Sequence, residues 1–292
     1  MSWYLKYLKY YEKPFSAVPE SVIAEVKTKL KRFETTEAPI ASVVVIARNE
    51  ETRVLSCLWA LSESICNYPI EIIGIDNVST DRTAEVFDAV GIRWYSEEQK
   101  SCGYARRCGL EHAKGKYYFC IDSDTLYPPN YIQTFIKELE KPGIVGVSSL
   151  WSFVPDKQHS WLGLKIFEFL RDIHVWFLSF NRPELSVRGL VFAYRTEYGR
   201  KVGYRVELKR GEDGSMALGL KQYGKLKLLL NRKVRAITAT NTLGADGSFF
   251  KSFLIRVAKV FKEFGSYFTK RTHYEDHDSN LIDDFKNKRD GK

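Results

Sequence analysis

The sequence predicts an α/β protein built on a doubly wound, mostly parallel sheet, with helical extensions at both ends. Three observations predict it. From Ser42 onward, short apolar strands alternate with polar turns and helices. The runs SVVVIA (42–47) and IEIIGID (70–76) are nearly continuous and rich in β-branched residues, as in parallel strands covered on both faces. Polar residues collect where strands end, at Arg48 to Glu50, at Asp76 and at Asp122 to Asp124, and right-handed crossovers carry those ends to one sheet edge.

The elements follow in order. Residues 1–13 interleave Trp3, Tyr4, Tyr7, Tyr10 and Tyr11 with Lys6, Lys9 and Lys13, a composition that suits either a membrane interface or a helix packed on its own domain. After Pro14 and Pro19, Val22, Val26, Leu30 and Phe33 form a helical stripe that ends before the loop 34–39. The strand at 42–47 is followed by a helix from about Thr52 to Leu61, the strand 70–76 by a helix from about Arg82 to Ala89, and the strand 92–96 by a helix over 104–113 carrying Arg106 and Arg107. A short apolar run, Tyr117 to Ile121, completes this half and stops at Asp122 and Asp124.

The second half is less regular. A helix over 128–140, a strand over 144–150, an amphipathic helix over 161–180 and a buried strand over 185–195 are expected, then Gly211-Glu212-Asp213-Gly214 opening another helix, then short strands near 226–229 and 234–239. Beyond them Phe250, Phe253, Val257, Val260, Phe264 and Tyr267 step by three and four among basic residues, a helix that either packs on the domain or touches an anionic membrane. The chain therefore divides into an N-terminal extension (1–40), a central domain (41–245) and a basic helix with a charged tail (246–292). In that tail His273, Asp276, His277 and Asp278 have metal-binding spacing but read better as a solvated acidic stretch.

Composition sets outer bounds. In 292 residues, 44% are hydrophobic and 14% aromatic, enough for a sizeable core. Five cysteines, an odd number with no Cys-x-x-Cys pair, indicate a reducing compartment, so a cytoplasmic location is expected. No apolar run reaches the ~18 residues of a membrane span, and Lys6 and Lys9 interrupt any signal-peptide core. A formal charge of +9 admits phosphorylated substrates or anionic lipid as partners. Nucleic acid is not expected, because zinc-finger spacing, an RNA-recognition signature and a long basic block are all absent.

Two acid clusters carry candidate chemistry. Asp122 and Asp124 at a strand end would repel each other unless a cation joined them, and sparse hard oxygen ligands suit Mg²⁺ or Mn²⁺. The alternative is an ordinary helix N-terminus before Pro128. Glu212 and Asp213 likewise suit either catalysis or a favourable position on a helix dipole.

Together these stretches resemble family 2 glycosyltransferases, inverting enzymes with the GT-A fold, over about Ser42 to Thr240. SVVVIARNEE resembles the family's opening strand and Asn-Glu turn, EIIGIDNVSTDRT its strand with an Asp, GYARRCGLEHAKGKYYFCIDSD its Ala-Arg helix and Asp-x-Asp strand, RGLVFAYR its acceptor-side strand, and GEDG its Glu-Asp motif. The resemblance implies a nucleotide-sugar half at about 41–126 and an acceptor half at about 127–245. It places Arg48, Glu50 and Asp76 around the base and ribose, Arg106 beside that pocket or the phosphates, Asp122 near the ribose and Asp124 on the metal, with Asp122 as the metal's second carboxylate. Asp213 becomes the general base and Glu212 its orienting or acceptor-binding neighbour. The implied reaction moves a hexose from a UDP- or GDP-sugar to a saccharide or lipid-linked acceptor with Mn²⁺ or Mg²⁺. Its setting would be cell-surface glycan (polysaccharide) biosynthesis, on the cytoplasmic side and in possible peripheral contact with the membrane.

The sequence departs from the family pattern in places. Asn77 and Val78 stand where an acid and a glycine are usual, and Arg107 replaces an asparagine. A third metal-ligand histidine and the membrane-spanning tail of processive synthases are not evident. Two other functions fit parts of the pattern, a nucleotidyltransferase on a similar sheet and a non-catalytic scaffold binding membrane or polyanion. The first lacks a lysine-bearing phosphate loop, and the second would not need the acids.

Overall fold

The computed structural model describes residues 3–34, 38–155, 160–240 and 282. The expected helix at 250–267 and the His/Asp tail lie outside the described residues. Helix α1 (Glu20–Leu30) precedes the alternating half, which runs β1 (Ala41–Ala47), α2 (Val54–Ser62), β2 (Ile70–Asp76), α3 (Thr83–Val90), β3 (Arg93–Ser96), α4 (Cys102–His112) and β4 (Tyr117–Asp122). There follow β5 (Thr125–Leu126), α5 (Tyr131–Leu139), β6 (Ile144–Ser149), β7 (Trp151–Phe153), α6 (Trp161–Asn181), β8 (Phe192–Arg195), α7 (Thr196–Val202), α8 (Glu212–Leu220), β9 (Lys225–Leu229) and β10 (Ala236–Thr238).

Seven strands form the main sheet in the order β3-β2-β1-β4-β8-β6-β9. Only β8 runs against the others, pairing antiparallel with both β4 and β6. Every residue of β1 and β2 is buried, as their apolar runs require. Helix α4 lies close on that sheet because Gly109 has no side chain; a Cβ there would stand 2.4 Å from Val44 Cγ1. The register aligns Ala47 with Asp76 and Ile46 with Asp122, so the acids of two strands emerge at one edge. A small second sheet, β5-β10-β7, stands beside them and places Thr238 next to Thr125.

The N-terminal stretch joins the same core. Tyr7, Tyr10, Tyr11 and Phe15 are buried, and the Tyr7 ring meets Trp59 of α2 edge to face at 5.4 Å. Of the two readings of these tyrosines, packing on the domain is the one observed. Burial of each such ring is worth roughly 1.5–3 kcal/mol.

Two expectations are corrected. The strand expected at 185–195 is confined to Phe192–Arg195, and Pro183–Ser186 and Gly189–Val191 are single 3₁₀ turns. Apolar character there reports burial, which a tight turn satisfies as well as a strand. Helix α6 forms as expected and buries Leu164, Phe167, Val175 and Leu178, but its outer face is apolar where a polar one is expected. Glu168 is 5% exposed, accepting from the Phe153 N–H at 2.9 Å, and Asp172 pairs with Arg171 and Arg235, while large apolar side chains face outward.

Candidate active site

The turns after β1 and β2 are stitched into one body. The Asn49 N–H donates to Ser79 Oγ at 2.9 Å, the Glu50 N–H to Thr83 Oγ1 at 2.8 Å, and the Thr80 N–H to Asn49 Oδ1 at 2.7 Å. Asn49 takes the left-handed conformation, φ 53°, which its short amide tolerates. Arg48 is exposed at this rim. Asp76, the last residue of β2, is buried, and its Oδ1 has no hydrogen-bond partner among the described residues. A buried carboxylate oxygen left without a donor is costly, and a ligand N–H reaching it would remove that cost. Asn77 donates through Nδ2 to the carbonyls of Glu97 at 3.0 Å and Gln99 at 2.8 Å, fixing the loop opposite.

At the end of β4, Asp124 Oδ1 accepts from the hydroxyls of Thr125 at 3.0 Å and Thr238 at 3.2 Å. Burial, then the charge of Asp122, pushes its carboxyl up to about 6. Glu50 rises to about 7, again through burial and then the charge of Asp124, with Arg53 opposing at 3.3 Å. These carboxylates make a region of negative potential in which positive charge is favoured. Tyr127 ties this edge to the second half, its hydroxyl accepting from the Asp122 N–H at 3.1 Å and donating to the Leu190 carbonyl at 2.8 Å.

Arg106 connects the two acid clusters. Its guanidinium is 2% exposed, forms a short ion pair with Asp122 Oδ1, and lies 3.8 Å from Asp213 Oδ1 through Nε. So enclosed, it faces the carboxylates of Asp122 and Asp213. Asp213 is largely enclosed, with 16% of its side chain exposed; burial raises its pKa, the charge of Arg106 opposes that rise, and the Gly189 N–H donates to its carboxylate. Gly189 must be glycine, because a Cβ there would stand 2.2 Å from Asp213 Oδ2. Glu212, 8% exposed, is pushed up to about 8 by burial and then by Asp213. Helix α8 thus begins with two acids whose neighbours are Arg106 and Asp122, in addition to the helix dipole.

Asp122 therefore stands between Asp124 on one side and Arg106 with Asp213 on the other, while Glu50 faces Asp124. Asp76 and Arg48 lie further along the same strand-end edge. Several contributors went unseen in the sequence. Thr238 and Tyr11 reach Asp124 from 114 and 113 residues away, and no local pattern announces such contacts. Gly189 lies in the quoted RGL stretch, but its need for close approach shows only against Asp213.

Among the described residues no group of three or more His, Cys, Asp or Glu side chains forms a metal cluster. The Asp122/Asp124 pair still fits Mn²⁺ or Mg²⁺. Its donors are hard oxygens, one of them in a carboxylate driven toward protonation by burial and then by a like charge, and such ions take remaining ligands from water or phosphate.

Residues 42–195, more than half of the chain, match the model of "Glycosyl transferase family 2". An uncharacterized glycosyltransferase of Rickettsia prowazekii, RP339, is 31% identical over 107 residues, which is 36% of this chain and 33% of that protein. The matched segment thus spans about a third of that relative's length. Among solved structures, the mannosyltransferase PcManGT from Pyrobaculum calidifontis, in complex with GDP-Man and Mn²⁺, superposes with a TM-score of 0.57 at 16% identity, covering 82% of this chain and 76% of that one. Glucosyl-3-phosphoglycerate synthase from Mycobacterium tuberculosis, in complex with Mn²⁺, UDP-glucose and phosphoglyceric acid, gives 0.52 at 21% identity, covering 81% and 84%. These likenesses show the GT-A fold. The chain belongs to glycosyl transferase family 2.

Proposed function

We propose that the chain is a metal-dependent inverting glycosyltransferase. It moves a hexose from a UDP- or GDP-sugar to a hydroxyl of a saccharide or lipid-linked acceptor, on the cytoplasmic side of a membrane and in the assembly of a cell-surface glycan. The observation that carries this reading is the line of charged groups Asp124, Asp122, Arg106 and Asp213 along one strand-end edge. Supporting it are the Mn²⁺ and nucleotide sugars held by the two structural neighbours.

In this reading Asp76 Oδ1 accepts an N–H of the base, which supplies its missing partner, and Arg48 and Glu50 line the base and ribose. Asp124 and Asp122 hold the divalent cation, with Asp122 also beside the ribose. When bound, Mn²⁺ or Mg²⁺ supplies positive charge against the charge that builds on the departing diphosphate. Asp213 takes the proton of the acceptor hydroxyl as its oxygen bonds to the anomeric carbon and the bond from that carbon to phosphate oxygen breaks. A carboxylate with a raised pKa is a stronger base at neutral pH than a solvated one. Arg106 keeps enough positive charge beside Asp213 for it to remain ionised, and Glu212 orients the acceptor. One displacement, without a covalent intermediate, inverts the centre.

The test is transfer or donor hydrolysis with Mn²⁺ and a panel of nucleotide sugars. Asp213→Asn should lose at least about 10²-fold in kcat while UDP affinity, read by calorimetry, stays within about twofold. Equal turnover in that variant would remove Asp213 from the role. Release of pyrophosphate in place of a nucleoside diphosphate would overturn sugar transfer itself.

A further inference from the structure

Helix α6 presents a continuous apolar face to the outside. Trp161, Leu162, Phe169, Phe177 and Phe180 are 61–65% exposed, and Ile166, Leu170, Ile173 and Trp176 are also open. At about 100° per residue, Leu162, Ile166, Phe169, Ile173, Trp176 and Phe180 fall within one band along the helix. The opposite face, Leu164, Phe167, Val175 and Leu178, is buried in the domain. A band of this size is far more than scattered surface apolarity.

The charges of the helix point to what covers it. Both of its carboxylates are withdrawn from the outer face, Glu168 toward Ser152 and the Phe153 N–H, Asp172 toward Arg171 and Arg235. Lys165 is 48% exposed beside the band and reaches Glu168 at 2.8 Å. The outer face thus offers apolar and aromatic groups bordered by a cation and no outward acid, on a chain whose formal net charge is +9. Among the described residues no helix is long and apolar enough to cross a membrane. We infer that the outer face of α6 is a membrane-docking surface, lying flat at the boundary between headgroups and acyl chains of an anionic bilayer. This inference does not depend on the sugar-transfer reading.

The experiment uses the full chain and vesicles of phosphatidylcholine with or without phosphatidylglycerol. Wild type should sediment with the anionic vesicles and much less with neutral ones. Phe169→Glu combined with Phe177→Glu should lower the partition at least about tenfold, because two rings are lost and two like charges are added. Both positions are exposed, so far-UV circular dichroism and Tm should not change. Lipids brominated near the headgroup should quench tryptophan emission in wild type, and the combined Trp161→Phe, Trp176→Phe variant should lose most of that quenching. Three results would overturn the inference: no vesicle binding by wild type, equal binding by the double Glu variant, or a wild-type dimer in light scattering that this variant turns into a monomer.

Discussion

The hydroxyl of Tyr11 donates a 2.6 Å hydrogen bond to the backbone carbonyl of Asp124. A residue that precedes the family-matched region by 31 positions therefore holds the strand end on which the proposed metal ligand sits. Arg53 lies over the Tyr11 ring at 5.9 Å and pairs with Glu50, so the N-terminal stretch packs as a wall of the site. Tyr11→Phe keeps the ring and removes one hydrogen bond, worth about 1 kcal/mol. The affinity for Mn²⁺ in the presence of UDP, followed by electron paramagnetic resonance, should fall about fivefold. An unchanged affinity would show that the bond serves folding alone.

Arg106 lowers the pKa of Asp213 against the effect of burial. Replacing it by Lys keeps a charge but loses the planar fork that spans two carboxylates. The acid limb of the pH–rate profile should then move to higher pH, because a less well compensated Asp213 protonates earlier as pH falls. Arg106→Met, which leaves the half-buried Asp122 and Asp213 without their cation, should cost about 1–3 kcal/mol of stability in urea unfolding.

Asp124, Glu50 and Glu212 are raised to about 6, 7 and 8, above the ~4 of a free carboxyl. The folded state therefore binds more protons than the unfolded state between about pH 4 and pH 8. Their contribution to stability is present at the acid end of that window and is lost as pH rises through the folded values. Without ligands, Tm should fall from about pH 5 to pH 8, and Glu212→Gln should flatten the upper part of the slope. Mn²⁺ with UDP should oppose the fall, since cations bind the ionised carboxylates.

Val78 has φ 56°, a conformation that a β-branched residue adopts only under strain. Val78→Gly should raise stability by about 1 kcal/mol, visible as a higher urea midpoint with an unchanged m-value. Its neighbour behaves in the opposite way. The Asn77 amide donates to two carbonyls, so Asn77→Asp removes both bonds, and Tm should drop by several degrees, a loss of about 1–3 kcal/mol. The asparagine that departs from the usual acid is therefore explained by the 97–99 loop it holds.

The alignment of the strand ends that carry the candidate residues is legible in the sequence, for identifiable reasons. The strands ending at Ala47, Asp76 and Asp122 are short β-rich runs flanked by polar turns, and parallel topology alone aligns such ends. The stretch 185–195 misled because apolarity reports burial, and Gly189 turns there to meet Asp213. Helix α6 misled in another way. Its period was plain, but which face met the domain depended on the Phe153 N–H, which donates to Glu168, and on the Trp151 carbonyl, which accepts from Arg171.

Local order along the chain was thus sufficient to establish the alternation of strands and helices, the edge where acids gather, and membership of the family. Three-dimensional packing decided what each acid faces: Tyr11 and Thr238 on Asp124, Arg106 between Asp122 and Asp213, and the outward apolar band of α6. The division is physical. Backbone periodicity and turn chemistry act over a few residues and are written in their neighbours, whereas desolvation and charge pairing depend on groups that only folding brings together.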